Sequence, residues 1–254
     1  MEKEKVTYLN LKKRKPEPEE EMEGEEEVKG FFLSHQRRYK KGSTYRLVCT
    51  DIFKRIKLKK GKILDIGCAY GGLIYDINSS NSNFSFVGID LSRAMLEVAR
   101  IYCKDIDAKF YRKPADKTGL ESESFDLVIC KDTLHHFKNP VAALKEMFRL
   151  VKKDGYLYLV DVRRDVDENI IHQLVQRLAE SNLMNAMQYL DSVQAGYTAK
   201  EIKQMFKKAG ITEYKIIEPE FSERVMKEYK VSSERYLPTL HFFKTRWIAV
   251  IKKE

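Results

Sequence analysis

The chain has 254 residues, of which 43% are hydrophobic and 33% are charged, so it is long enough for one large domain with a full hydrophobic core. Apolar runs stay below the roughly 18 residues needed to cross a bilayer, and the charged start of the chain lacks the apolar core of a secretory signal. These features exclude a membrane span and predict a cytoplasmic protein.

Charge is unevenly distributed along the chain. Residues 1–30 hold seven basic and ten acidic residues and carry −3, so that the remainder carries +12 within a net charge of +9. A basic body can attract nucleic acids or anionic substrates. Since no run of five basic residues occurs, and basic residues do not alternate with aromatic ones, nucleic acid is an alternative partner that we do not favour.

The cysteines predict no metal site. None of the four forms a Cys-x-x-Cys pair or lies at metal-ligand spacing from a histidine. Reduced, partly buried thiols are the simpler interpretation.

The first elements in chain order are a charged tail and a helix. Residues 12–29 combine blocks of charge with two prolines and cannot bury a core, which predicts a mobile tail over residues 1–30. The folded domain is expected to cover residues 31–254. Apolar residues at helical spacing predict a first helix over about 43–57.

Strands and helices then alternate up to about residue 162. The predicted strands cover about 62–66, 84–89, 108–112, 125–130 and 156–162. The predicted helices cover about 71–79, 93–104 and 140–152. Ser92 and Asn139 are placed to cap the second and third of these helices, and Asp154-Gly155 is expected to form a turn.

The last part of the chain is predicted to hold a helical lid and the closing strands. Residues 168–190 predict helices, within a lid insertion at about 165–195. Thr198 to Glu201 form a capping box for a helix to about 209. A strand over about 211–217 could pair with the strand that starts at Trp247. The near-continuous apolar strands indicate an α/β fold with a mostly parallel sheet covered by helices on both faces.

Residues 63–72, Ile-Leu-Asp-Ile-Gly-Cys-Ala-Tyr-Gly-Gly, indicate a nucleoside site, because a strand ends at an acid and a glycine turn leads into a helix. The turn nearly fits the dinucleotide pattern G-x-G-x-x-G, with Ala69 at the second glycine. However, Asp65 suits a ligand with an ammonium group and would repel a diphosphate. Asp90 ends the next strand and can accept hydrogen bonds from ribose hydroxyls in either interpretation.

Five segments in order carry a more specific resemblance: residues 63–71, Val-Gly-Ile-Asp-Leu-Ser (87–92), Phe-Asp-Leu-Val-Ile-Cys-Lys-Asp-Thr-Leu-His-His-Phe (125–137), residues 144–157 and Gly-Tyr-Thr-Ala-Lys-Glu-Ile (196–202). Together they resemble a class I S-adenosylmethionine-dependent methyltransferase of the broad small-molecule, type-11-like kind. The resemblance covers about residues 45–217. It implies a Rossmann-like seven-stranded sheet whose last strand is antiparallel.

The resemblance also implies a cofactor site for S-adenosylmethionine, with S-adenosylhomocysteine as the product. Asp65 and Gly67 would lie by the methionine moiety, Asp90 would take the ribose hydroxyls and Leu91 would pack on adenine. The remaining implied cofactor residues are Cys68, Ala69, Gly71 and Lys131. Two departures from the family pattern are Ala69, where glycine is usual, and Lys113-Pro114-Ala115 in place of Gly-Asp-Ala. Ala115 could still offer a backbone donor, and Asp116 could replace the missing acid.

The acceptor side is predicted from residues that follow the later strands. Methyl transfer is an in-line displacement that depends mainly on alignment. His135 or His136 is a candidate base or substrate contact, and Arg163, Arg164 and Tyr197 are candidate substrate contacts. A packing or capping role for the histidines and an ion-pair role for the arginines are the alternatives.

We therefore predict methyl transfer to an unidentified small-molecule acceptor. An RNA or protein methyltransferase, an NAD(P)-dependent oxidoreductase and a non-catalytic cofactor-binding subunit are the alternatives. The sequence makes no prediction of the oligomeric state.

Overall fold

The structure is a computed structural model that describes residues 11–17, 24, 28, 30, 32, 44–181, 183–218 and 244–254. Over these parts of the chain, we find no helix with the length and apolar character that a bilayer span requires. The predicted tail is described only in part.

Seven strands form one sheet in the order β3-β2-β1-β4-β5-β7-β6. Their bounds are β1 (Gly61–Ile66), β2 (Phe84–Asp90), β3 (Ala108–Arg112), β4 (Phe125–Lys131), β5 (Val151–Val162), β6 (Lys215–Ile217) and β7 (Arg246–Lys252). The strands β1 to β5 pair in parallel, whereas β7 runs antiparallel to both β5 and β6. The predicted mostly parallel seven-stranded sheet is confirmed.

Helices cover both faces of the sheet. The bounds in the main body are α1 (Thr44–Arg55), α2 (Gly72–Ser80), α3 (Arg93–Tyr102), α4 (Pro140–Leu150), α5 (Glu168–Ser181), α6 (Leu183–Ala195) and α7 (Ala199–Ala209). Neighbouring residues of β1 pack on opposite faces of the sheet. Ile63 packs in a cluster with residues of α1 to α3, and Leu64 packs in a second cluster with residues of α4 and α7. Burial on both faces explains why the strands read as continuous apolar runs.

The predicted helix caps are present. The Ser92 hydroxyl accepts a hydrogen bond from the Met95 amide at 3.0 Å, and Asn139 accepts one from Ala142 at 3.1 Å. Thr198 and Glu201 form the reciprocal capping box, and Gly210 ends α7 in a left-handed conformation. These local side-chain contacts fix where the helices begin.

Two predictions at the strands were incomplete. The strand β5 starts at Val151 instead of about 156, so Asp154-Gly155 lies inside a strand and not in a turn. Asp154 has a φ of 62°, and the pairing of β4 with β5 shifts register between Phe125 and Leu127. The strand β7 pairs with β6 as predicted, and it also pairs with β5 over seven residues.

The segment predicted as a lid folds as α5 and α6. A small apolar cluster joins the two helices through Ile171 and Val193, and Leu11 of the N-terminal segment packs against it. The Lys15 amide donates a hydrogen bond to the Gln194 carbonyl at 3.1 Å. Residues 11–17, which lie within the predicted tail, are therefore in contact with the lid.

Candidate active site

The strand order places a crevice at the carboxyl ends of β1 and β4. The sheet runs in one direction from β1 to β3 and in the other from β4 onward, and ligands in open α/β sheets bind where the order reverses. Asp65 of β1 lies between Gly88 of β2 and Ile129 of β4 in the register. The loops that follow these three strands meet at this edge.

The glycine turn after β1 is held close to β2. The amides of Gly67 and Cys68 both donate to the Ile89 carbonyl, at 2.8 and 3.0 Å. Gly67 has a φ of 72°, and a Cβ atom there would collide with the Thr133 side chain. Glycine is therefore required at this position for both conformation and space.

Ala69 takes a left-handed conformation with a φ of 45°, which costs an alanine about 1–2 kcal/mol. Its amide donates a hydrogen bond to Asp90 Oδ2 at 2.8 Å. The substitution of the usual glycine thus leaves the turn intact, because the Asp90 contact holds Ala69 in the strained conformation.

Asp90 connects the turn to the helix that follows β2. Its Oδ2 atom accepts from Ala69, and its Oδ1 atom accepts from the Ser92 amide at 3.0 Å. Burial raises the pKa of Asp90, while the amides of Ser92 and Ala69 and the charge of His136 work in the opposite direction. The next residue, Leu91, leaves 45% of its surface exposed at the same edge.

Asp65 is a buried acid whose negative charge is only partly neutralised by its neighbours. Burial raises its pKa to about 7, Lys131 lowers it, and Asp90 raises it further. Lys131 cannot neutralise Asp65 fully because its ammonium group lies 2.6 Å from Asp132 and 4.8 Å from the centre of the Tyr45 ring. A cationic ligand group next to Asp65 would complete the balance.

The other predicted cofactor residues lie around this edge in different settings. Cys68 is buried, and burial raises the pKa of its thiol well above the usual range, so it is not a reactive nucleophile. Gly71 begins α2 with a φ of 80°. Ala115 packs against the second core cluster and Asp116 is exposed, in the loop that follows β3.

His135 is fixed by Asp161 at the end of β5. The Asp161 Oδ1 atom lies 2.5 Å from His135 Nδ1, and its Oδ2 atom accepts from the His135 amide at 3.1 Å. This contact assigns the Nδ1 proton and leaves a lone pair on Nε2. Burial would lower the pKa of His135, but Asp161 together with Glu17 and Asp132 raises it.

Glu17 is a site residue that the sequence analysis missed. Its Oε2 atom lies 2.7 Å from His136 Nδ1, and its Oε1 atom lies 3.9 Å from His135 Nε2. Burial would raise the pKa of Glu17, but the hydrogen bond with His136 and the charges of both histidines lower it.

Arg14 holds this N-terminal segment on the site. Its guanidinium group donates to the carbonyls of Ala195 and His135, both at 2.7 Å, and stacks 4.3 Å from the centre of the Tyr197 ring. The predicted substrate residue Tyr197 is therefore 8% exposed and lies beneath Arg14.

The two arginines after β5 have protein partners. Arg163 contacts Asp165 and Glu218, both at 2.7 Å. Arg164 forms a bidentate pair with Glu201 and donates to the Gly196 carbonyl at 2.8 Å. Arg164 thus joins β5 to the capping box of α7, and a substrate role for both arginines stays a prediction.

Known proteins share both the sequence pattern and the fold. A family model described as a methyltransferase domain matches residues 57–210. The ubiquinone biosynthesis O-methyltransferase of Photobacterium profundum is 29% identical over 107 residues, which are 41% of this chain and 45% of that protein. The chain spans about half the length of the curated relatives it matches.

Two solved structures illustrate the shared fold. One is an S-adenosyl-L-methionine-dependent methyltransferase assigned in Methanococcus maripaludis, with a TM-score of 0.64, 17% identity and coverage of 94% of this chain and 98% of that chain. The other is the plantazolicin methyltransferase BamL in complex with a desmethyl substrate analogue and S-adenosylhomocysteine, with a TM-score of 0.65, 20% identity and coverage of 90% and 91%. With the matched family model covering more than half of the chain, the protein belongs to the methyltransferase domain family, of the class I S-adenosylmethionine-dependent type that its motifs resemble.

Proposed function

We propose that this protein transfers a methyl group from S-adenosylmethionine to a small-molecule acceptor. The buried Asp65 beside the glycine turn is the observation that carries the proposal. The ionised carboxylate repels a pyrophosphate and attracts an ammonium group, and its pKa, raised to about 7 by burial, shows that its own counter-charge is insufficient. This favours the methionine moiety over the dinucleotide alternative.

The residues at the sheet edge carry chemical groups that match those of the cofactor. Asp65 offers a carboxylate for the ammonium group, Asp90 offers acceptor lone pairs for the ribose hydroxyls, and Leu91 offers an exposed apolar surface for the adenine ring. The backbone of Gly67 to Gly71 can approach the ligand closely because its side chains are small. Lys131, Ala115 and Asp116 complete the proposed set with weaker support, since Lys131 is paired with Asp132.

The cofactor supplies an activated methyl group, and this chain must bind, align and dehydrate the two reactants. Alignment of this kind can contribute roughly 7–11 kcal/mol. Where the acceptor is a hydroxyl or an amine, His135 Nε2 is the candidate to receive its proton, since Asp161 fixes the ring and would stabilise the resulting imidazolium. His136 is 47% exposed at its side chain and lies on the outer side of His135.

A small acceptor is supported by what covers the histidines. The N-terminal segment and α6 lie over His135 through Arg14, whose hydrogen bonds reach both His135 and Ala195. Two similar proteins are a ubiquinone biosynthesis O-methyltransferase and a plantazolicin methyltransferase, and both names refer to organic compounds. An RNA or protein acceptor is favoured only by the basic body of the chain.

A methyl-transfer assay tests the proposal. The purified chain is incubated with S-adenosylmethionine carrying a labelled methyl group and with a cell extract separated into small molecules, RNA and protein. We expect label to appear in the small-molecule fraction with wild-type protein and at least a hundredfold less with Asp65→Asn. Label in RNA or protein would overturn the acceptor class, and no transfer to any fraction would contradict the activity.

A further inference from the structure

The N-terminal segment delivers an acidic side chain to the two histidines. Arg14 is bound by two carbonyls and the Tyr197 ring, and the Lys15 amide is bound by Gln194. These contacts leave little freedom for Glu17, which is only 11% exposed at its side chain. The highly charged N-terminal segment therefore places one carboxylate inside the protein.

Three potential metal-ligand atoms converge at this point. One atom each from Glu17, His135 and His136 lie within 4.8 Å of one another. The Glu17 carboxylate reaches His136 Nδ1 at 2.7 Å and His135 Nε2 at 3.9 Å. The ring centroids of the two histidines are 4.1 Å apart, so the imidazoles lie side by side.

Two of these atoms have unsatisfied lone pairs. Within the described parts of the chain, His135 Nε2 and Glu17 Oε1 are both buried without a hydrogen-bond partner. When the His135 ring is neutral, Asp161 holds its proton on Nδ1 and the Nε2 atom faces Glu17 as an acceptor. Two buried acceptors that face each other require a positive charge or a donor between them.

The spacing suits a bridging cation. At 3.9 Å, His135 Nε2 and Glu17 Oε1 are too far apart for a direct hydrogen bond. Two ligands that each bind a metal ion at about 2.0–2.2 Å lie roughly at this separation or slightly closer.

We propose that Glu17, His135 and His136 form a binding site for a divalent transition-metal ion, with Zn²⁺ as the ion that the ligands suit best. Two imidazoles and one carboxylate, with one coordination position left open, are a ligand set typical of zinc enzymes. Asp161 supplies the carboxylate that orients a metal-binding histidine through its other nitrogen. Binding would replace the contact between His136 Nδ1 and Glu17 with bonds from both groups to the ion.

Metal binding would change the role of His135. With an ion bound, Nε2 is a ligand and no longer a proton acceptor, and the ion itself would hold the acceptor's oxygen in its open position and lower the pKa of that hydroxyl. This role rests on the proposed methyl transfer, whereas binding of the ion does not. The site would select acceptors with an oxygen next to the methylated atom or at it.

Cobalt and zinc titrations of the full chain test the site. After treatment with a chelator, the protein is titrated with Co²⁺ and followed by its visible absorption, and then with Zn²⁺ by calorimetry. We expect one ion per chain, with the intense absorption of a four- or five-coordinate cobalt site. Glu17→Gln should weaken binding at least tenfold, because it removes the charged ligand while leaving the core of the domain untouched.

His172→Gln is the matched control, since His172 is exposed on α5 and belongs to no cluster of potential ligands among the described residues. It should bind as the wild type does. No binding, or equal binding by Glu17→Gln and wild type, would overturn the site and show that a proton on His135 supplies the charge. Binding of S-adenosylhomocysteine measured on the same samples separates this failure from a failure of the proposed function.

Discussion

At the scale of single residues, the site contains three aspartates that differ in their partners. Asp90 is satisfied by two backbone amides, Asp161 fixes His135, and Asp65 lacks a full counter-charge. Asp65 is therefore the acid whose properties a bound cation should change most. The sequence predicted Asp65 and Asp90 because an acid at the end of a parallel strand must face the crevice.

Asp65 should make cofactor binding depend on pH. Its pKa of about 7 lies above the ordinary value of 3.8, so the carboxyl group takes up a proton as the pH falls below 7. A ligand with an ammonium group binds the ionised form, and binding must then displace that proton. We expect the Kd for S-adenosylhomocysteine, measured by calorimetry, to rise about tenfold from pH 8 to pH 6.

Asp65→Asn keeps the size of the side chain and removes its titration. Its Kd should be higher than that of the wild type at pH 8 and should stay nearly constant down to pH 6. A variant whose Kd still rises as steeply as that of the wild type would assign the titration to another group, such as His135.

Asp90 should contribute directly to affinity through the ribose. Hydrogen bonds to a charged group are worth about 1.5–3 kcal/mol, so Asp90→Asn should weaken S-adenosylhomocysteine binding at least tenfold. Asp105→Asn, at an exposed position between α3 and β3, is the control and should bind normally. Equal affinities for the two variants would mean that Asp90 serves only the turn at Ala69.

Glu17 is a site residue that the composition of its segment did not indicate. It is one of many charged residues in a segment whose composition is typical of a solvated tail, so nothing in its charge marks it as a site residue. Its position depends on Arg14, and the partners of Arg14 are carbonyl groups far away in the chain. Backbone carbonyls carry no sequence signal, and the contact was therefore beyond prediction.

At the scale of elements, strong local signals gave the correct helices and strands. Ser92, Asn139 and Thr198 mark helix starts through their own side chains, and the structure confirms all three. The early start of β5 was missed because Asp154-Gly155 is a common turn sequence. These two residues lie within the strand because both pair with Lys253, which follows β7 and is about a hundred residues away. The Asp154 amide donates to the Lys253 carbonyl, and the Lys253 amide donates to the Gly155 carbonyl.

The docking of residues 11–17 on α6 gives a prediction at this scale. Arg14→Gln removes the cation over Tyr197 and both charged hydrogen bonds to the Ala195 and His135 carbonyls, so the segment should open more often. Hydrogen exchange followed by mass spectrometry should find the Lys15 amide protected in the wild type and at least tenfold less protected in the variant.

Lys13→Gln is a charge-matched control for Arg14→Gln, because it removes the same charge from an exposed position in the same segment. It should keep the wild-type protection. An unprotected Lys15 amide in the wild type would show that the segment does not dock, and would remove Glu17 from the site.

At the scale of the whole molecule, a single sheet edge gathers residues from the whole length of the chain. The turn after β1, the acid that ends β2, the histidines after β4 and Asp161 of β5 meet there because parallel strands end on the same side. The positions of the proposed cofactor residues were predictable, since each lies at a fixed place beside a strand. The acceptor half depends on the N-terminal segment and the lid, whose positions are set by tertiary contacts.

Fold alone does not identify the reaction, because many activities share this architecture. The central claim is that the crevice beside Asp65 binds a sulfonium nucleoside and not a dinucleotide. Calorimetry of the wild-type chain with S-adenosylhomocysteine and with NAD at pH 8 tests it most directly. The account predicts one binding site for S-adenosylhomocysteine and no heat of binding for NAD, and binding of NAD without binding of S-adenosylhomocysteine would contradict it.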